Sequence, residues 1–203
     1  MKVGAWIDSL ERVGRDRDAL RMDARSVDYA ELADLSRALV RELASQGAVR
    51  GDVIAVLAPP SIVGVALIHA ILDQGWVLLP LNARLTAAER REALESSGAR
   101  YLVVAPGERD SGQALAEEVG CGLWVLTADG LLDATVEVCL TPSEARAADF
   151  DERQNQQQNE KAALLLRTSR TSGRPKSAIL GLDQLIASAV GSAALLENTI
   201  TDR

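Results

Sequence analysis

A polar segment between two apolar runs carries the side chains of this sequence that are best suited to chemistry. The apolar runs are Ala162–Leu166 and Ala178–Leu180, and this arrangement is typical of a strand, a loop and a second strand. The loop offers hydroxyl groups, backbone N–H groups beside a glycine, and cations within one short turn, and these groups suit a polyphosphate. The candidate binding residues are Thr168, Ser169, Arg170, Thr171, Ser172, Gly173 and Lys176.

The segment resembles the phosphate loop of adenylate-forming enzymes, the superfamily of acyl-CoA synthetases, luciferases and peptide-synthetase adenylation domains. The family pattern is T-S-G-[ST]-[ST]-G-x-P-K-G, and residues 168–177 read T-S-R-T-S-G-R-P-K-S. Arg170 and Ser177 stand where the family has glycine, and Arg167 stands where it has an aromatic or apolar residue. The resemblance implies that the loop binds ATP and its pyrophosphate.

Of these departures, Arg170 is expected to matter most. A glycine in such a loop takes a positive φ or allows the backbone to approach the phosphates, and a β-carbon interferes with both. Forcing a non-glycine residue into that conformation costs about 1 to 3 kcal/mol, and the arginine side chain also competes for the phosphate position. Ser177 is small and lies at the predicted strand end, so its effect is expected to be minor.

Four further patterns extend the resemblance over nearly the whole chain. Y-x-E-L occurs at Tyr29–Leu32, G-x-x-x-G-D-x-[IV]-A at Gly47–Ala55, P-L-N at Pro80–Asn82, and a short acidic helix at Thr86–Leu94. Each pattern is weak alone, but all four occur in the family's order before the loop. The compact amino-terminal region and the small residue Ser177 resemble the o-succinylbenzoate CoA ligase branch of menaquinone synthesis.

The resemblance implies a two-step reaction that uses a carboxylate, ATP and CoA. The carboxylate attacks the α-phosphate of ATP with magnesium present and pyrophosphate leaves; the acyl group of the adenylate is then transferred to the thiol of CoA, and AMP leaves. The sequence has no Y-G-x-T-E segment, no T-G-D segment and no carboxy-terminal lid with its lysine; Lys176 is the loop lysine. We therefore expect an acid–thiol ligase by family whose chain does not adenylate by itself and binds none of these ligands tightly alone.

The remaining chain is expected to position the loop on a mostly parallel α/β sheet with helices on both faces, the incomplete amino-terminal domain of the adenylate-forming fold. Strands and helices alternate, which favours right-handed crossovers. We divide the chain into an α/β region (1–140), a polar linker with the tract QNQQQN (141–160), and the loop hairpin with a following helix (161–203). Polar residues at helix starts (Asp28 with Glu31, Ser61, Thr86 with Glu89, Asp183) predict N-caps.

Composition excludes several other classes. A net charge of -7 argues against nucleic-acid binding. The amino terminus does not resemble a signal peptide, and the apolar run 62–81 is interrupted by polar residues, so we expect a cytoplasmic protein without a membrane span. The lone His69 is interpreted as a core histidine, and Cys121 and Cys139 as ordinary buried or half-buried residues. The acidic residues Asp149, Asp151 and Glu152 are interpreted as a solvated run, with no metal ligands assigned.

Two alternatives were weighed against the ligase interpretation. A non-enzymatic interaction module is favoured by the departures from the loop pattern and by the apolar face of the last helix, which needs a partner. Self-association, or pairing with a complementary chain, is expected on the same ground. A Walker-type nucleotide hydrolase is excluded because residues 173–177 lack the Gly-Lys-Ser triplet and the glycine five residues ahead of it.

Overall fold

The computed structural model describes residues 6–13, 17–128, 134–140, 162–167 and 177–196. Its helices are α1 (Trp6–Val13), α2 (Tyr29–Ser45), α3 (Ile62–Gln74), α4 (Ala87–Ser97), α5 (Arg109–Val119) and α6 (Leu182–Leu195). Its strands are β1 (Asp18–Met22), β2 (Arg25–Asp28), β3 (Val53–Leu57), β4 (Val77–Pro80), β5 (Tyr101–Val104), β6 (Gly122–Ala128), β7 (Ala134–Leu140), β8 (Ala162–Arg167) and β9 (Ser177–Gly181). The predicted linker, with Asp149, Asp151 and Glu152, lies outside the described residues.

A seven-stranded sheet in the order β7-β6-β5-β3-β4-β8-β9 forms the centre of the fold. The five central strands, β6, β5, β3, β4 and β8, are parallel to one another. The two edge strands, β7 and β9, are antiparallel because each returns directly from the strand beside it. The prediction of a mostly parallel sheet is confirmed, and β1 with β2 forms a separate antiparallel hairpin.

Helices cover both faces of the sheet, as the sequence predicts. On one face, α2 and α3 pack on strand residues that include Ile54, with Leu39 and Ile71 fully buried. On the other face, α4 and α5 pack on residues that include Ala55, with Leu94 fully buried. Successive strand residues point to opposite faces, so one buried strand serves both cores and must be apolar throughout.

Local capping sets most helix boundaries. At the start of α2 the Asp28 side chain accepts from the Glu31 N–H while the Glu31 side chain accepts from the Asp28 N–H, and Thr86 with Glu89 repeats this box before α4. Ser61 caps α3 through the Gly64 N–H. These three predicted caps are confirmed.

The predicted cap at Asp183 is wrong. Helix α6 begins at Leu182 with Gly181 as its N-cap residue, so Asp183 lies inside the first turn. The side chain of Gln184 accepts a hydrogen bond from the Gly181 N–H. Because β9 leads into α6 without a loop, the helix starts two residues earlier than a side-chain cap at Asp183 would require. An acidic residue in the first turn still interacts favourably with the helix dipole.

His69 and the cysteines occupy the structural positions expected of them. Trp6 donates its indole N–H to Nδ1 of His69, and burial lowers the pKa of His69. His69 is half-buried and has this hydrogen-bond partner, which agrees with a structural role but not with a fully buried core position. Cys121 is buried and Cys139 is half-buried, and the two are not joined in a disulfide bond. Among the described residues, no helix is long and apolar enough to cross a membrane.

Candidate functional site

The carboxyl ends of the parallel strands share one edge of the sheet, and the candidate loop begins there. Strand β3 leads into α3 on one face, whereas its neighbours β4 and β5 lead into α4 and α5 on the other. In open α/β sheets, ligands bind outside the carboxyl ends of strands where connections diverge in this way. Strand β8 is parallel to β4, so its carboxyl end, and the loop that follows it, belong to this edge.

The candidate loop connects two paired strands. Arg167, the last residue of β8, pairs in register with Ser177, the first residue of β9. The predicted strand, loop, strand order is thereby confirmed, and Ser177 lies at a strand end as expected. The predicted phosphate-binding residues lie outside the described residues, so their role stays a prediction; they are Thr168, Ser169, Arg170, Thr171, Ser172, Gly173 and Lys176.

Arg167 ties the entrance of the loop to α4. Its guanidinium lies 3.6 Å from the Glu92 carboxylate and donates to the Ser96 hydroxyl at 3.5 Å. The Arg167 side chain is only 15% exposed, although Arg167 is the last residue of β8, the strand next to the edge strand β9. The family has an aromatic or apolar residue at this position, and the long Arg167 stem occupies buried space in its place.

We expect the Arg167–Glu92 pair to contribute a coupling free energy of unfolding of about 0.5 to 1 kcal/mol, since the pair is partly shielded from water but long. A double-mutant cycle with Arg167→Met and Glu92→Gln, followed by urea unfolding, measures it. The Arg167→Met background is the control, because there Glu92→Gln no longer removes the ion pair. Equal effects of Glu92→Gln in both backgrounds would show that the Arg167–Glu92 contact does not contribute to the free energy of unfolding.

The neighbouring turns of the same edge are held by their own hydrogen bonds. Arg90 of α4 donates to the Ala83 carbonyl at 2.7 Å, after β4, and lies 3.4 Å from Glu108, after β5. The hydrogen bond from Ser111 is the main cause that keeps the pKa of Glu108 below its ordinary value, and the Arg90 charge adds to it. The Asn82 side chain accepts from the Arg84 N–H at 2.9 Å. These contacts fix the turns after β4 and β5, the two strands on either side of β3, at the edge where the loop begins.

The side chains of the described part of this edge hold its turns in place and form no candidate metal site. Across the described ranges, no three His, Cys, Asp or Glu residues are grouped closely enough to hold a metal ion. His69 packs against Trp6 inside the α1–α3 contact, not at the carboxyl edge. The sequence predicts the loop. It does not indicate the contacts of Glu92, Arg90 and Glu108, because no local pattern distinguishes these residues from other charged residues.

Comparison with known proteins gives a consistent set of matches. A family model described as AMP-binding enzyme matches residues 8–202. The chain is 28% identical to an indoleacetate–CoA ligase of Aromatoleum aromaticum, over 100% of this chain and 39% of the relative. It is 31% identical to a 2-succinylbenzoate–CoA ligase of Geobacillus kaustophilus, over 93% of this chain and 34% of the relative.

A solved structure matches the fold as well. It is a double mutant of o-succinylbenzoate CoA synthetase from Bacillus subtilis, bound with its product analogue, with a TM-score of 0.75 and 25% identity. The match covers 98% of this chain and 38% of that one. This chain therefore spans between about a third and two fifths of the length of these relatives.

Proposed function

Because the chain belongs to the family of AMP-binding enzymes, we propose that it is the amino-terminal part of an ATP-dependent carboxylate–CoA ligase. The observation that carries this proposal is the family match across residues 8–202, which includes the loop after β8. The named relatives are CoA ligases. The acid is proposed to be an aromatic carboxylate of the 2-succinylbenzoate type, and the use of ATP and CoA suits a cytoplasmic location.

The proposed role of this chain in the reaction is to hold the leaving pyrophosphate. When a carboxylate attacks the α-phosphate of ATP, negative charge grows on the β-phosphate oxygens. Donors fixed in advance at that position stabilise the transition state most effectively. Hydroxyls of Thr168, Ser169, Thr171 and Ser172 and the Lys176 ammonium provide such donors. No magnesium ligand is assigned in this proposal.

We infer that this chain does not form acyl adenylates by itself. The sequence has no Y-G-x-T-E segment, no T-G-D segment and no lid lysine. Adenylation requires positioned donors, the metal and exclusion of water together. The pyrophosphate loop alone provides only the first of these.

Replacing Arg170 with glycine is expected to tighten binding of magnesium ATP and of pyrophosphate at least about tenfold, because it relieves backbone strain of about 1 to 3 kcal/mol and clears the phosphate position. Isothermal titration calorimetry of the parent chain and the variant measures this. Arg174→Gly is the matched control, since it removes the same charge at a position where the family pattern accepts any residue.

If Arg170→Gly and the parent chain bind with equal and measurable affinity, Arg170 does not weaken polyphosphate binding. If neither variant nor parent binds, although both are folded by circular dichroism, the loop does not hold polyphosphate without further segments of the fold. Loss of binding in Lys176→Ala would assign the site to the loop.

The alternative, a non-enzymatic interaction module, is favoured by one observation: α6 has no buried residue in the structure. A module of this kind would bind a partner chain, and none of its loop variants would bind ATP. The calorimetric series above separates the two functions, because only the ligase proposal requires Arg170→Gly to gain affinity.

A further inference from the structure

The short helix α1 is attached to the rest of the chain through two polar side chains of α3. The backbone N–H groups of Trp6 and Ile7 donate to the Asp73 carboxylate, each at 3.0 Å, and the Trp6 indole N–H donates to Nδ1 of His69. The Trp6 and His69 ring centroids are 5.9 Å apart. His69 and Asp73 are four residues apart in α3 and therefore lie on the same face of that helix. The first turn of α1 thus depends on two neighbouring acceptors.

The contact between Trp6 and His69 requires a neutral imidazole. A neutral histidine has one ring nitrogen that donates and one that accepts, and Nδ1 accepts from the indole only while the proton is on Nε2. In the protonated form both ring nitrogens carry a hydrogen, so Nδ1 would turn a second donor toward the indole N–H. Protonation of His69 therefore replaces a hydrogen bond with two opposed donors.

Burial, and not a neighbouring charge, is the cause that lowers the pKa of His69 below its ordinary value. The Asp73 carboxylate, one turn away on α3, is occupied by donors from α1 and from Gln74. The acidic side chains of α1 are paired with Arg37 of α2, which lies 3.2 Å from Asp8 and 2.5 Å from Glu11.

The other elements that pack on α3 also leave the imidazole without a dedicated counter-ion. Strand β4 has no ionisable residue, and on β1 the side chains of Asp18 and Arg21 pair with each other. The remaining ionisable residues of α1 and α2 are Arg12, Tyr29, Glu31, Asp34, Arg41 and Glu42.

The direction of the pH dependence follows from the lowered pKa. Detachment of α1 exposes the imidazole to water, where the pKa of His69 returns toward the ordinary value of about 6.5. The attached state therefore binds the proton less readily than the detached state. Attachment is fully favoured above about pH 6.5 and weakens as the pH falls through that value toward the lowered pKa.

We propose that the attachment of α1 is pH-dependent: protonation of His69 breaks its contact with Trp6 and releases α1 from α3 while the central sheet stays folded. Ile7 is 2% exposed and Leu10 packs against the core formed by α2, α3 and the sheet, so release uncovers apolar surface. The sheet stays folded because Leu39 and Ile71 bury themselves against it without α1. The proposal is independent of nucleotide binding.

The test is an NMR titration of the whole chain from about pH 8 to about pH 5, the range in which histidine titrates. His69 is the only histidine in the sequence, so its imidazole signal is unambiguous once any affinity tag is removed. We expect the Trp6 indole signal to move with the same midpoint as His69. Deuterium exchange, corrected for its intrinsic pH dependence, should show residues 6–13 opening at least about fivefold more often at the acidic end.

Two variants at the same position separate the imidazole from other titrating groups. His69→Gln keeps a neutral acceptor that cannot be protonated, so we expect α1 to stay attached across the range. All carboxylates are retained in this variant, and any pH dependence left in it belongs to them. His69→Lys supplies a cation without an acceptor, so we expect a detached α1 at every pH tested.

Three outcomes would overturn the proposal. The first is a His69 titration that leaves the Trp6 indole signal and the exchange of α1 unchanged. The second is an equal increase in α1 exchange in His69→Gln and in the parent chain. The third is a parallel loss of protection in α2 and β3, because the acid would then unfold the whole chain and not release one helix.

Discussion

Replacing Trp124 with alanine is expected to lower the free energy of unfolding by about 3 to 5 kcal/mol, the cost of removing a large aromatic side chain from a packed core. Trp124 of β6 is 1% exposed and stacks on Tyr101 of β5, with ring centroids 3.9 Å apart and an angle of 12° between the planes. The two rings join neighbouring parallel strands beneath α2 and α3. Urea unfolding followed by circular dichroism measures the loss.

A second substitution at the same position isolates the stacking. Trp124→Phe keeps an aromatic ring against Tyr101 and is expected to retain more than half of the stability that alanine loses, because less volume is removed. A Trp124→Ala chain that unfolds within about 1 kcal/mol of the parent would contradict the packing, since core truncations of this size do not cost so little.

Replacing Asp73 with alanine is expected to cost about 2 to 4 kcal/mol, because a buried acceptor that serves three donors disappears. Asp73 is 5% exposed on the otherwise apolar α3. Its carboxylate accepts from the N–H groups of Trp6 and Ile7, each at 3.0 Å, and from the Gln74 side chain at 2.9 Å. It thus caps the first turn of α1 from another helix. Thermal and urea unfolding measure the loss.

The conservative variant Asp73→Asn separates hydrogen bonding from charge. The amide oxygen of Asn still accepts hydrogen bonds from the first-turn N–H groups of α1. Because a charged carboxylate is a stronger acceptor than a neutral amide, we expect Asp73→Asn to recover only about half of the stability that Asp73→Ala loses. Val49→Glu, at an exposed valine between α2 and β3, is the surface control for these measurements. Equal loss in Asp73→Asn and Asp73→Ala would mean that the carboxylate charge, not the acceptor geometry, holds α1.

The family and the general fold were predictable because their signals repeat along the chain. Buried strands such as Val53–Leu57 are short apolar runs that end at proline or glycine, and their alternation with helices predicts the parallel sheet. The hairpin that frames the loop was likewise visible as two apolar runs around a polar stretch. The candidate residues within that loop were identified by resemblance, and the described structure adds only the frame around them.

Some element boundaries were not predictable from the same signals. Helix α5 runs from Arg109 to Val119 and includes Ser111 and Gly112, which are residue types typical of turns. A β-carbon on Gly112 would lie 3.0 Å from Val104 and 3.2 Å from Leu123. The glycine therefore allows α5 to approach the sheet closely, and packing overrides its low helix propensity.

The sequence alone determined the helix caps and helix ends that depend on contacts within a few residues. The capping boxes at Asp28 and Thr86 place a side chain next to a backbone donor three positions away, so the helix start follows from local geometry. Left-handed Gly75 and Gly98 end their helices for the same local reason. Such signals need no knowledge of how distant segments pack.

Only the tertiary structure decided which distant groups satisfy one another. Asp73 caps a helix that begins 67 residues earlier in the chain, and Arg167 finds Ser96 across 71 residues. A carboxylate or a guanidinium accepts many partners, and its residue type does not say which one the fold brings near. The exposure of α6 has the same origin, because an apolar helix is recognised from its sequence, but the absence of buried residues in it is a property of the folded arrangement.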